Sequence, residues 1–507
     1  MRNWRRATAF SIMAGLALAL GAAMACAEPS GTFRFAEQVK LVTMDPQQHT
    51  GGGRSYLRPV YETLFERTAD DTLVPKLATS YEEDGLNVTL KLLEGVRFSD
   101  GTPFNADVVV ANLKRSTELG VLSALKPISE VTAVDEYTVR ITLNTPAPSL
   151  ERDLTGTPGM IISPNALDDP ALDRNPVGTG PYLYDPDRSR EGEVRVYTPN
   201  PEYREPGEVG LERLEIWELP DDTARLNALK TGQIDVGLWL SNPQSAIIDR
   251  TPGLKLVRNT GGYTYHLSML DREGTVIPAF ADKRVRQAMN YAIDRSAYSQ
   301  AVDFGLSLPA FQPYPEGSWA HNPALDGRYT YDPDKARDLL EEAGYADGLE
   351  FDMPSIPIFQ PRLEAVAGFL RDIGITMNIV PVEPGTLARR SRTTDFPATN
   401  LVWNSQSDPS YLTNYYISPD ASFNPFHAKP SDVLAKLSED GINTVGAEAR
   451  APIYRKMAEE LAEESYLIFI TSTPLLFGVS EEMTGNSTLK YRPGEDTVYL
   501  RGLRVDN

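Results

Sequence analysis

Two periods of hydrophobic spacing run through this chain, and each predicts a different kind of element. Alternation or a short β-branched run predicts strands over residues 31–35, 88–92, 137–143, 193–197, 213–218, 254–258 and 263–270. Helical spacing appears over 105–114, where Val108, Val109 and Leu113 fall on one face, and over 283–293, where Val285, Ala288, Met289 and Ala292 do. Asp221 and Asp222 are good N-cap types for a helix over 223–231, and Gly232 stops it. Helices over 334–343 and 362–373 end at Gly344 and Gly374, and a long amphipathic one covers 448–464. Strands and helices mix without regular alternation, which predicts an α/β (mixed α+β) fold.

The first 27 residues follow another pattern. Arg2, Arg5 and Arg6 precede an apolar stretch from Ala9 to Leu20, followed by small residues up to Ala27. This is the layout of a secretory signal peptide, and the apolar run is shorter than the roughly 20 residues of a membrane span. The single cysteine, Cys26, sits at its end. Ala25-Cys26-Ala27 reads as an A-x-A cleavage site, and Ala23-Met24-Ala25 before Cys26 reads as a degenerate lipoprotein box. Cleavage after Ala27 leaves a mature chain without cysteine, so without disulfide or thiol chemistry, held together by its core alone. A lipid on Cys26 instead tethers the same protein to a membrane.

Composition narrows the partners. The chain carries 49 Lys+Arg against 70 Asp+Glu. Without the leader's three arginines that is 46 basic residues against 70 acidic ones, about −24. Such a charge argues against nucleic acid and anionic membranes as partners. No later apolar run approaches 18 residues, and the length suits two or more domains.

Recognisable catalytic and metal-binding patterns are missing. The four histidines, His49, His266, His321 and His427, are far apart, with no H-E-x-x-H and no Cys/His cluster. There is no G-x-S-x-G. Gly51-Gly52-Gly53-Arg54-Ser55 lacks the spacing of a phosphate loop, and Pro181 removes an N–H from Gly178-Thr179-Gly180. The expectation is a protein that is not an enzyme and holds no cofactor or metal.

The order of phrases is more specific than any single motif. "TMDPQQHT", "VYETLFE", "NPVGTGPYLY", "ARLNALKTGQIDV", "DKRVRQAMNYAIDR", "DPDKARDLLEEAGY" and "AEARAPIYRKMAEELAEE" follow one another from about Gly31 to the C-terminus. In this order they resemble the family 5 extracellular solute-binding proteins, which serve ATP-driven importers of peptides, nickel, opines and related solutes. The resemblance implies a two-lobed periplasmic binding protein with a hinge. Lobe I would comprise 28–75, 179–263 and 474–507, a subdomain of 76–178 would be inserted in it, and lobe II would span 264–473. Solute would bind between the lobes of a monomeric protein, and closure would present it to an ABC permease and its ATPase in the inner membrane.

The resemblance also implies where solute would sit. Thr50 and Gly52 follow Asp45-Pro46, Trp239 follows "GQIDV", and Tyr263 begins a strand crossing between lobes. In the peptide-binding branch a Trp is followed three positions later by an Asp that pairs with the peptide ammonium. In "LVWNSQSDPSYL" the Trp is Trp403, but the matching position is Gln406. An amide accepts a hydrogen bond from an ammonium without neutralising it. Asp408 could stand in, or serve as a turn residue before Pro409. Of Arg389, Arg390 and Arg392, the last could meet a carboxylate or phosphate, or all three form a solvated basic face. This departure ranks a modified peptide, opine or sugar conjugate above a plain oligopeptide, with nickel chelates below both. From other classes, a secreted hydrolase or a periplasmic chaperone or chemosensory protein on the same fold remain alternatives.

Overall fold

The computed structural model describes residues 28–49, 53–70, 72–383, 386–404, 408–485, 487–491 and 497–505. The signal-peptide reading, and with it Cys26, falls outside them, as do Thr50, Gly52 and Gln406.

Local chemistry accounts for the helix ends. Asn105 caps the helix Ala106–Leu119 by accepting from the Val108 N–H, and Gly120 ends it in the left-handed conformation at φ 65°. Asp221 caps Asp222–Lys230 in the same way through the Ala224 N–H. Asp282 and Asp332 do so for Lys283–Ala292 and Pro333–Glu342. The expectation of a helix over 105–114 stops five residues short, because polar Thr117 and Glu118 obscure a stripe that the fold continues to Leu119.

A nine-stranded sheet, counted among the described residues, organises the molecule. Its order is Ala398–Asn404, Leu254–Met269, Leu467–Ser480, Val236–Gly237, Thr32–Glu37, Arg213–Glu218, Val194–Pro199 and Tyr182–Tyr184, with Leu308–Pro309 also pairing Leu467–Ser480. A separate four-stranded antiparallel sheet is built from Ala78–Asp84, Asn87–Leu92, Thr138–Leu143 and Ile128–Asp135.

The two strands Leu254–Met269 and Leu467–Ser480 are long and antiparallel, and each leaves one core and enters another. Leu475, Phe477 and Val479 pack with Phe33, Phe35 and Leu214. Ile468 and Ile470 pack with Tyr265, Leu267 and Val285, while Leu467 and Phe469 pack with Leu412, Tyr454 and Leu461. Two lobes are therefore joined by two strands. The four-stranded sheet has its own core, from Leu64 to Ile161.

The sequence predicts two strands, 254–258 and 263–270, where the fold has one with a fault in it. Pairing is interrupted between Asn259 and Tyr263. Opposite lies Pro474, which has no N–H to give the ladder. Gly262 lies in the same break, and a Cβ there would stand 2.3 Å from the Thr473 carbonyl oxygen. Only glycine allows the strands to pass this closely.

Candidate functional site

The site is built on the C-terminal part of the strand Leu254–Met269 and the N-terminal half of Leu467–Ser480. Strand alternation sends Tyr263, Tyr265 and Leu267 to one face and Thr264, His266 and Ser268 to the other. In the register, Thr264 lies opposite both Trp403 and Ser472, so these three form a row across three strands. Thr264 and Ser472 line a cavity of about 610 Å³, together with Arg258, Leu308, Phe311 and Tyr314. A smaller recess of about 80 Å³ lies in lobe I among Glu62, Lys76, Tyr203 and Arg501. Its walls are already ion-paired, Lys76 to Glu62 at 3.0 Å and Arg501 to Glu66 at 2.9 Å, which leaves little to receive a solute.

Trp403 is buried, and its ring meets Tyr415 and Tyr416 edge-on at centroid separations of 6.4 and 6.1 Å. Among the described residues its indole N–H has no hydrogen-bond partner. Tyr415 and Tyr416 belong to a π-helical turn, Thr413–Ile417, in which the Ser418 N–H reaches back to the Thr413 carbonyl at 3.0 Å. Such turns are frequent at functional sites. Behind this face His266 is wholly buried against Tyr416 and Phe469. Burial lowers its pKa to about 4, against a weaker upward pull from the Thr264 carbonyl.

Tyr263 lies opposite Asn404 and Thr473, on the other face of the sheet from Trp403. Its ring packs on Trp239 at 5.7 Å and an interplanar angle of 31°. Trp239 has a left-handed backbone, φ 56°, an uncommon conformation for a bulky residue. The buried Arg225 side chain holds it there, donating to the Trp239 carbonyl at 2.9 Å. The aromatic candidates thus divide into a buried Trp403 group, one strand away from the cavity-lining Thr264, and a Trp239–Tyr263 pair against lobe I.

Asp408 has a different setting from the one a ligand acid needs. Its carboxylate is buried and accepts two charged hydrogen bonds from Arg450, 2.6 Å from Nη2 and 2.9 Å from Nη1. It also accepts from the Ser410 N–H and hydroxyl. Burial alone would lower the Arg450 pKa, but Asp408 overrides it and the net shift is upward. The carboxylate is therefore neutralised by its own chain. Arg392 is exposed, with its guanidinium 5.1 Å from the Phe423 ring centre, and Arg390 pairs with Asp395.

Sequence reasoning did not single out Asp153, Tyr411 or Arg450, which bring the inserted sheet against lobe II. The Tyr411 hydroxyl donates to Asp153 at 3.0 Å, and Arg450 donates to the Pro148 carbonyl at 3.3 Å. These partners lie 258 and 302 residues apart, a separation no local pattern reports. Among the described residues no group of three or more His, Cys, Asp or Glu is arranged to hold a metal. No described helix is long and apolar enough to cross a membrane.

The family "bacterial extracellular solute-binding proteins, family 5 middle" matches residues 72–424. The chain belongs to this family. It is 27% identical over 474 residues to the glutathione-binding protein GsiB of Pectobacterium atrosepticum, covering 88% of this chain and 89% of that protein. Among solved structures, HbpA2 from Haemophilus parasuis superposes with a TM-score of 0.82 at 23% identity, covering 94% of this chain and all of that one. The periplasmic binding protein DppA from Helicobacter pylori, in complex with the peptide STSA, gives 0.74 at 22%, with coverages of 95% and 99%. The two-lobed fold of this solute-binding protein is that of its structural neighbours.

Proposed function

We propose that this protein captures a peptide-like small organic solute between its lobes and delivers it to an ABC permease, without breaking a bond. The observation that carries this reading is the cavity of about 610 Å³ at the strands that join the lobes, lined by the aromatic rings of Phe311 and Tyr314 and by Thr264 and Ser472. An aromatic face, two hydroxyl residues and enough room for a tri- or tetrapeptide-sized molecule are the parts such a site requires. A binding protein works by population shift, because solute touching both lobes favours the form in which they are joined. The proposal keeps lobe boundaries at 28–75, 179–263 and 474–507, with 76–178 inserted and 264–473 as lobe II; the two crossing strands support the breaks at 263/264 and 473/474.

Solutes without a free ammonium rank first. Gln406 carries no charge, and Asp408 is neutralised by Arg450. A buried ammonium without a counter-charge costs several kcal/mol. A modified peptide, an opine or a sugar conjugate meets no such penalty. The GsiB relatives keep glutathione among the solutes to test.

Native mass spectrometry of protein purified without unfolding identifies any co-purified solute. Calorimetry then compares glutathione, an unblocked dipeptide, its N-acetylated form and an opine. The reading expects the blocked peptide or opine to bind at least tenfold tighter than the dipeptide, and Gln406→Asp to reverse that order. Turnover of a bound solute, or no binding from any of these classes, would overturn it.

A further inference from the structure

The lobes are joined by the crossing strands and by a second, smaller junction some distance away in the chain. There the short helix Leu150–Asp153 of the inserted unit meets the segment 408–411 and the helix Ala447–Glu464 of lobe II. We propose that the Asp153 carboxyl group, buried at this junction among Glu83, Glu151 and Asp408 and bridged to lobe II by Tyr411, is a proton-dependent latch that holds the inserted unit against lobe II and so governs opening of the solute cleft.

The geometry makes this contact sensitive to charge. Asp153 receives Tyr411 at 3.0 Å from across the junction and forms no ion pair among the described residues. Two carboxylates of its own unit face the same space, Glu83 on the strand Ala78–Asp84 and Glu151 on the short helix, with Tyr81 beside them. From lobe II come Asp408, Arg450 and Tyr415. Arg450 is committed to Asp408, so it offers Asp153 little compensation. Arg152, the remaining cation on the helix, exerts only a weak pull.

The electrostatics follow from that placement. Burial raises the Asp153 pKa to about 7, opposed by the Ser149 and Tyr411 hydroxyls and reinforced by the Asp408 charge. Burial also raises Glu83 and Glu151. When the lobes part, water reaches Asp153 and its pKa returns toward the ordinary value near 4. The joined form then binds the proton more tightly, so acid favours joining. The gain is complete below about pH 4, declines through the interval, and is gone above about 7. Within it the joined-to-parted ratio changes by up to about tenfold per pH unit.

The latch rests on the two-lobed architecture and is independent of the solute's identity, so its test needs no ligand. Small-angle X-ray scattering of the solute-free protein at pH 5, 6, 7 and 8 reads the radius of gyration for the wild type, Asp153→Asn and Tyr411→Phe. The wild type is expected to expand as pH rises. Asp153→Asn keeps an acceptor for Tyr411 without the charge, and is expected to stay compact at every pH. Tyr411→Phe is expected to be expanded throughout. Thermal unfolding at each pH separates loss of the latch from loss of the fold. A wild-type radius independent of pH, or an Asp153→Asn variant that expands as the wild type does, overturns the proposal. So does a Tyr411→Phe variant that remains compact at pH 5.

Discussion

Asp408 and Arg450 form a two-pronged ion pair buried in lobe II, with both N–O distances under 3 Å and 5% or less of either side chain exposed. They lie forty-two residues apart, and the pair fixes the segment after position 406 to the helix Ala447–Glu464. Breaking one side leaves the other charge buried and alone. Asp408→Asn is therefore expected to cost about 3–5 kcal/mol, read as a lower Tm for the transition carrying lobe II. If the variant instead keeps its stability and loses solute affinity, Asp408 is a ligand group after all.

Trp403, paired with the cavity-lining Thr264, offers a milder test. Trp403→Phe keeps an aromatic ring against Tyr415 and Tyr416 but removes the indole N–H, which has no partner among the described residues. Solute affinity is expected to fall about tenfold, near 1.4 kcal/mol, with little change in Tm. Calorimetry with the solute found by native mass spectrometry checks it. Equal affinities would move the binding surface elsewhere, with the Trp239–Tyr263 pair next in line.

At Gly262 the crossing strands leave no room for a side chain. A methyl group 2.3 Å from the Thr473 oxygen forces the strands apart at the lobe junction. Gly262→Ala is expected to destabilise by about 1–3 kcal/mol and to change the distribution of lobe angles. Thermal unfolding and scattering profiles together report both effects, and an unchanged variant in both would mean the junction yields easily.

His266 predicts a pH dependence opposite in sign to that of the latch. Its folded pKa, about 4, lies below the ordinary 6.5. The unfolded chain therefore takes up the proton first as pH falls. Stability is retained above about pH 6.5 and declines as pH drops toward 4, by on the order of 3 kcal/mol. His266→Phe is expected to flatten this part of the profile. Urea titrations at pH 7, 5.5 and 4 measure it, and parallel slopes for both proteins would assign the acid loss to other groups.

Much of the local structure follows from the sequence because its causes are local. The strand 213–218 is found at its expected bounds, since alternation of Leu214, Ile216 and Glu218 with more exposed residues needs only one buried face. Caps at Asn105 and Asp221 and the stop at Gly232 depend on neighbours within four residues. The phrases that identify the family are of the same kind, being mostly caps, turns and core stripes. The departure at Gln406 is likewise visible in the sequence alone.

Only the tertiary structure decides how the site is shared out. Trp403 and Tyr263 face opposite sides of one sheet because their register differs by a single residue, and register is set by pairing between distant strands. Asp408 reads in the sequence as either a stand-in acid or a turn residue before Pro409, and in the fold Arg450 neutralises it. Asp153 reads as one of 70 acids, yet folding brings Tyr411 to it across 258 residues. The sequence determines which residues carry charge, aromatic surface and turn chemistry. Their partners depend on chain crossings that no local period encodes, and those partners decide which charges remain available to a solute.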